Sequence, residues 1–147
     1  MNEKIKIYYA AAMLGDRSNL NDNKVIFKGL EKLGYQMLTK FVIEDELDIN
    51  KGRKLGDIFK RDIDHLNETD VLIADISYPS TGVGFEIAYA LLKNKYVIAI
   101  CRKDRVDKAS ALIRGINWEK FNLVIYSNPE QITYTLDNII KNLDFQK

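Results

Sequence analysis

Two carboxylates and one run of small residues are the parts of this sequence best suited to chemistry. Glu86 interrupts the stretch Phe85 to Leu92, which is otherwise apolar, directly behind the loop "SYPSTGVG". Read as a first-turn residue of a covered helix, it must look into a crevice or be paired, because a buried unpaired charge is costly. It does not complete a capping box, since the residue three positions before it is Val83. Ser80, Thr81, Gly82 and Gly84 precede that helix. Its free N–H groups, the hydroxyls and the close approach that glycine permits would make a cradle for a phosphate or a sugar hydroxyl; an ordinary capped turn has the same composition. Asp62 lies eight residues before Asp70, about two helical turns back, among Asp57, Asp64 and Glu68. Those acids also read as one solvated helix face. Two carboxylates about a sugar are, however, the minimum for a retaining glycosyl transfer: one attacks the anomeric carbon and the other manages the leaving group's proton.

Other candidates carry less. Tyr8, at the end of the first strand, could hydrogen-bond a crevice carboxylate, or be a core aromatic with a wet tip. Cys101 is the only cysteine and His65 the only histidine, so an internal disulfide is excluded and a zinc site would have to lean on carboxylates. Cys101 reads as a buried strand residue. The fragment "GVGFEI" starts like a dinucleotide fingerprint, but Ile87 stands at the third glycine position. No Walker lysine is present, and Ala10, Ala11 and Ala12 replace the acids or hydroxyls that a receiver or flavin-phosphate loop needs.

The elements that must position these residues alternate along the chain. "KIKIYYA" reads as a strand and "NLNDNKVIFKGLEKLG" as a helix capped at Asn21 or Asp22 and stopped by Gly34. "YQMLTKFV" reads as a second strand, and Ile43 to Gly56 as a mobile loop or lid leading into the helix of Asp62. "VLIADI" and "YVIAIC" are apolar runs of covered parallel strands on either side of the Glu86 helix. "SALIRG" is a short helix or turn, "FNLVIYS" a last strand, and the segment after Pro129 a last helix. Strands alternating with helices predict an α/β, flavodoxin-like, doubly wound five-stranded parallel sheet of order 2-1-3-4-5, in one domain over residues 1–147. The ligand crevice then lies between "YYAAAMLGDRSN" and "DISYPSTGVGFE".

Composition excludes other classes. Twenty-two basic residues nearly balance twenty-one acidic ones, which leaves no electrostatic footprint for a nucleic-acid polymer or an anionic membrane. The N-terminus has no apolar signal core and no run reaches the length of a membrane span, so the chain is expected in the cytoplasm.

Taken together, "ETDVLIADISYPSTGVGFEIAYAL", the "IYYA" of the first strand, Asp62 and "SALIRG" resemble the nucleoside 2-deoxyribosyltransferase superfamily, nearest to its 2'-deoxynucleoside 5'-monophosphate N-hydrolase branch. The resemblance covers nearly the whole chain. It implies that Glu86 is the nucleophile at C1', Asp62 the acid that assists the leaving base, and Tyr8 the residue that orients the nucleophile. It also implies that Ser80, Gly82 and Gly84 cradle the 5'-phosphate, and that Ser110 reaches a neighbour's phosphate site across a homodimer with composite active sites. No cofactor is implied. One departure stands out: the branch's loop serine and arginine are here Ala12 and Leu14, with Ala11 where glycine is usual, which removes a charge-assisted phosphate contact. Arg17, or Lys51, Arg53 or Lys54, would be the replacement. Ala12, Met13 and Arg17 complete the expected substrate-binding set, with Leu14, Phe41 and Ile43 as further pocket walls. Transferases of the superfamily carry an aspartate six residues before the nucleophile, where this chain has Ser80. The expectation is therefore a deoxyribonucleotide N-hydrolase. A base-exchanging transferase acting on deoxynucleosides and a non-catalytic nucleotide-binding module are the alternatives.

Overall fold

Strands covered on both faces collect at the centre of a parallel sheet, and the chain follows that rule. The computed structural model describes residues 3–145; the first two and last two residues of the expected domain, including the start of the N-terminal segment, lie outside the described residues. In chain order the elements are β1 (Lys6–Ala10), α1 (Leu20–Lys32), β2 (Gln36–Met37), α2 (Leu55–Glu68), β3 (Val71–Asp75), α3 (Thr81–Leu92), β4 (Tyr96–Arg102), α4 (Ala111–Arg114), β5 (Phe121–Tyr126) and α5 (Pro129–Lys141). Single 3-10 turns occupy Lys40–Ile43 and Lys103–Lys108. The sheet is parallel throughout, in the order β2-β1-β3-β4-β5, which is the flavodoxin-like doubly wound arrangement the alternation predicts. Among the described residues, no helix is long and apolar enough to cross a membrane.

The period of two along β1 sorts its side chains between the two layers. Ile7 and Tyr9 pack with Ile26, Phe27 and Leu30 of α1 and with Leu136 and Ile140 of α5. Tyr8 and Ala10 face the opposite layer, with Leu66 of α2 and Val83, Ile87 and Ala90 of α3. Tyr8 is thereby placed on the same side of the sheet as the helices that carry Asp62 and Glu86.

Three local expectations are corrected. β2 is two residues long instead of spanning "YQMLTKFV". After Leu38 N–H donates to the carbonyl of Ile7, the Thr39 side chain replaces the ladder: its hydroxyl accepts from Tyr9 N–H at 3.0 Å and donates to Tyr9 C=O at 2.6 Å. The chain then turns into Lys40–Ile43. α1 begins earlier than expected, with Asn19 as N-cap, and Asn19 makes no side-chain cap bond because its amide donates to Asp75 at 2.9 Å. Gly34 ends that helix as predicted, at φ 101°, a conformation in which a Cβ would be strained.

The third correction concerns α3, which is not covered all round. Val83, Ile87 and Ala90 are buried against the sheet, and burying Ile87 contributes about 1.5–3 kcal/mol. Phe85 and Leu92 are 51% and 76% exposed. A straight helix lying on one sheet face presents only one stripe to it, so an apolar sequence leaves an apolar outer stripe.

Candidate active site

The carboxyl ends of β1 and β3 open into a crevice of about 570 Å³, within the range of small-molecule sites. Tyr8, Asp62 and Glu86 line it together, with Ser80, Thr81 and Gly82 at one rim and Met13, Leu14, Phe41 and Ile58 as apolar walls. β1 supplies Tyr8, α2 supplies Asp62, and α3 supplies Glu86 and the rim.

α3 starts one turn earlier than the sequence suggested. Ser80 is its N-cap, and its hydroxyl accepts from Val83 N–H at 3.2 Å. Glu86 therefore lies in the second turn, beyond the reach of the free N–H groups, and its burial is not explained as an interaction with the helix end. With Val83 N–H bonded to the cap and Gly84 N–H bonded to Ser80 C=O, the N–H groups at the helix start left for a ligand are those of Thr81 and Gly82. Gly84 has a negative φ, and a Cβ built on it would meet nothing within 4 Å. At Gly82 the only near atom is Ser80 Oγ, at 3.9 Å. Glycine inside a helix costs about 1 kcal/mol relative to alanine. Neither backbone conformation nor packing demands it here; Gly82 keeps space open at the crevice rim, whereas Gly84 lines the neighbouring second cavity and not the crevice.

Electrostatics single out the same three groups. Burial pushes the Glu86 carboxyl up to about 7; the hydrogen bond from Tyr8 and the charge of Arg61 oppose the rise, and the charge of Asp62 adds to it. Burial, followed by the charges of Glu86 and Asp62, raises the Tyr8 hydroxyl far above its ordinary value, so Tyr8 acts only as a donor. Asp62 is raised by burial against the pull of Arg61, whose Nε donates to its Oδ1 at 3.0 Å. Burial thus disfavours the charged form of both carboxyls, and the charge of Asp62 adds to the rise at Glu86.

The remaining expected residues are distributed around this centre. Met13, Leu14 and Phe41 line the crevice, while Ile43 turns into the core and Val42 takes its place. Ala12 lines a small neighbouring cleft rather than the crevice. Arg17 shares that cleft, and its guanidinium holds the carbonyls of Val42 and Glu44, each at 2.9 Å. It braces the segment after β2 and is not among the residues that line the crevice. Lys51 is paired with Glu44 at 2.7 Å. None of the described residues lining the crevice is a lysine or arginine. Ser110 caps α4 and lines a second cavity, of about 640 Å³, on the other side of the rim; Ser80, Thr81 and Val83 line both cavities. Cys101 is fully buried in β4, with its thiol pushed up by burial, which excludes it as a nucleophile.

Two supports escaped the sequence reading. Asp75, 3% exposed at the end of β3, accepts from the amides of Asn19 and Asn23 at 2.9 and 3.0 Å and from Ser77 N–H at 2.9 Å. It ties both crevice loops to the sheet; the lone acid in "VLIADI" was the available signal. Gly15 is the other, since a Cβ there would stand 3.3 Å from the carbonyl of Pro79, where the two loops meet.

Comparisons with known proteins point the same way. A family model described as nucleoside 2-deoxyribosyltransferase matches residues 7–126. The chain is 50% identical over 136 residues to a Thermofilum pendens protein named "Putative 2'-deoxynucleoside 5'-phosphate N-hydrolase 1", covering 92% of this chain and 95% of that one. It is 34% identical over 113 residues to a Danio rerio protein named 5-hydroxymethyl-dUMP N-hydrolase, covering 76% and 78%. The solved structure of Clostridium botulinum CMP N-glycosidase, BcmB, shares the fold, with a TM-score of 0.66 at 21% identity over 90% of this chain and 98% of that one.

Proposed function

The chain belongs to the nucleoside 2-deoxyribosyltransferase family, and from that membership and the crevice geometry we propose that it hydrolyses the N-glycosidic bond of 2'-deoxynucleoside 5'-monophosphates. The products are free base and 2-deoxyribose 5-phosphate. The observation that carries this reading is the convergence of Glu86, Asp62 and Tyr8 on one crevice beside the open start of α3.

In the proposed reaction the ionised Glu86 attacks C1' as the C1'–N bond breaks, forming a deoxyribosyl ester, while Asp62 gives its proton to the departing base. Asp62, now ionised, takes a proton from the water that cleaves the ester, which returns Glu86 and restores the acid. Tyr8 holds the Glu86 carboxylate in line through its hydrogen bond. A carboxylate whose pKa burial pushes up to about 7 is a stronger base and nucleophile than a solvated one. The 5'-phosphate rests on the N–H groups of Thr81 and Gly82 and the hydroxyl of Ser80. Met13, with Phe41, packs against the base.

The second cavity supports a homodimer within this proposal. Leu112 and Trp118 line it and are 81% and 55% exposed, beside Ala88 and Leu91 of α3. A second copy covering that face would bring Ser110 of the partner subunit to the phosphate rim. The protein acts as a single domain in the reducing cytoplasm, which suits its one buried, unpaired cysteine.

One observation favours base exchange on unphosphorylated deoxynucleosides: the crevice has no cation among its described lining residues, and Leu14 stands at its mouth. The test offers deoxynucleosides and their 5'-monophosphates with and without a free acceptor base. Base release from monophosphates is expected, and Glu86→Gln should abolish it while leaving nucleotide binding intact. Base exchange on nucleosides would replace the hydrolase with the transferase, and absence of any glycosidic cleavage would sink both.

A further inference from the structure

Arg61 is not one of the expected site residues, yet it contacts two side chains that line the crevice, Asp62 and Phe41. Its Nε donates to Asp62, its Nη1 donates to Asp48, and its guanidinium carbon lies 3.5 Å from the centroid of the Phe41 ring, a crevice wall. The side chains of Arg61 and Asp48 are only 17% and 12% exposed, so this is not a screened surface pair of little consequence. Asp48 belongs to the segment between the Lys40–Ile43 turn and α2, which contains neither helix nor strand and is also held by the Lys51–Glu44 and Lys24–Asp45 ion pairs and the bonds from Arg17. One guanidinium thus serves two carboxylates, one on a loop and one in the site.

We propose that Arg61 is the positioning residue for Asp62, shared with Asp48, so that the loop's contact with Arg61 decides which crevice carboxyl carries the proton. The proposal rests on the glycosidase reading, in which Asp62 must hold a proton when the base leaves and Glu86 must have lost its own. The groups that act on Asp62 are Arg61 and His65 on α2 and Asp48 on the loop, and Asp62 in turn acts on Glu86 of α3 and Tyr8 of β1. Arg61 favours the ionised form of both Asp62 and Glu86, and Asp48 disfavours the ionised form of Asp62. When Asp48 draws Arg61 toward the loop, the proton moves to Asp62 and the pair becomes competent. When Arg61 turns wholly to Asp62, the proton stays on Glu86 and attack is blocked. The two carboxyls titrate as a pair, so activity follows a bell whose limbs belong to both.

The opposite signs of the two partners make the test specific. The pH profile of kcat/KM is measured for the wild type, Arg61→Gln, Arg61→Lys and Asp48→Asn. Removing the cation should move the bell up by about one unit or more. Asp48→Asn should move it down by a smaller step, and Arg61→Lys, which keeps the charge, should stay nearer the wild type than Arg61→Gln. A purely structural role would lower the curve without moving its limbs, and that result, or shifts of the same sign in Arg61→Gln and Asp48→Asn, overturns the proposal. The carbon-13 titration of the Asp62 carboxyl in wild type and Asp48→Asn reads the same coupling without turnover. An unshifted Asp62 there also overturns it, even where Arg61→Gln fails to fold. Absence of glycosidic cleavage by the wild type counts against the enzyme reading alone, because the titration still decides the coupling.

Discussion

Glu86→Gln should make the protein more stable at pH 8 and leave its stability unchanged at pH 4. Burial, which disfavours its charged form, pushes the folded carboxyl up to about 7 from its ordinary value of 4.5. With the folded pKa raised, the stabilising contribution is fully present below 4.5 and is lost as pH rises through 7. At pH 8 the ionised side chain therefore penalises the native state by about 3 kcal/mol. Glutamine has the same shape, keeps an oxygen to accept from Tyr8 and carries no charge, so it removes the penalty and little else. For a domain of this length, that difference raises Tm by roughly 6–12 °C. The assay is thermal unfolding of both proteins at pH 4 and pH 8. Comparing the change in the difference cancels the titrating groups that are not coupled to Glu86, which leaves Glu86 and its neighbour Asp62. A difference that is the same at both pH values, or a glutamine variant that is less stable at pH 8, would refute the reasoning that Glu86 is held ionised against its environment.

Other outcomes follow from neighbouring residues. Tyr8→Phe removes the donor that lowers the Glu86 pKa, so the ascending limb of the kcat/KM profile should move to higher pH and activity at neutral pH should fall roughly tenfold or more. Leu14→Arg places a cation at the mouth of the crevice, and KM for a deoxynucleoside monophosphate should fall about tenfold while that for the nucleoside stays unchanged. Leu112→Asp puts a charge on the exposed apolar face, and light scattering should then report a monomer in place of the expected dimer.

The sheet order, the crevice loops and the identity of Glu86 as an odd residue were legible in the sequence, because each depends on local pattern. A short apolar run rich in branched residues and bounded by turn residues, such as "VLIADI", reads as a covered parallel strand, and a parallel sheet of this length leaves few ways to order its strands. The sequence could not show that β2 stops after two residues, because a single threonine hydroxyl 30 positions away from Tyr9 takes over its ladder. Nor could it separate the two faces of α3, whose composition is apolar all round while the sheet covers only one stripe. Asp62 was one acid among four until folding turned it, alone of them, into the crevice beside Glu86. Arg61 and Asp48 stand 13 residues apart and carry no motif; only tertiary packing brings the loop carboxylate to the guanidinium that also holds Asp62. Residue type and spacing thus determined which groups were available for chemistry. Burial and charge proximity, which exist only once distant segments are packed together, decided which of them meet in one crevice.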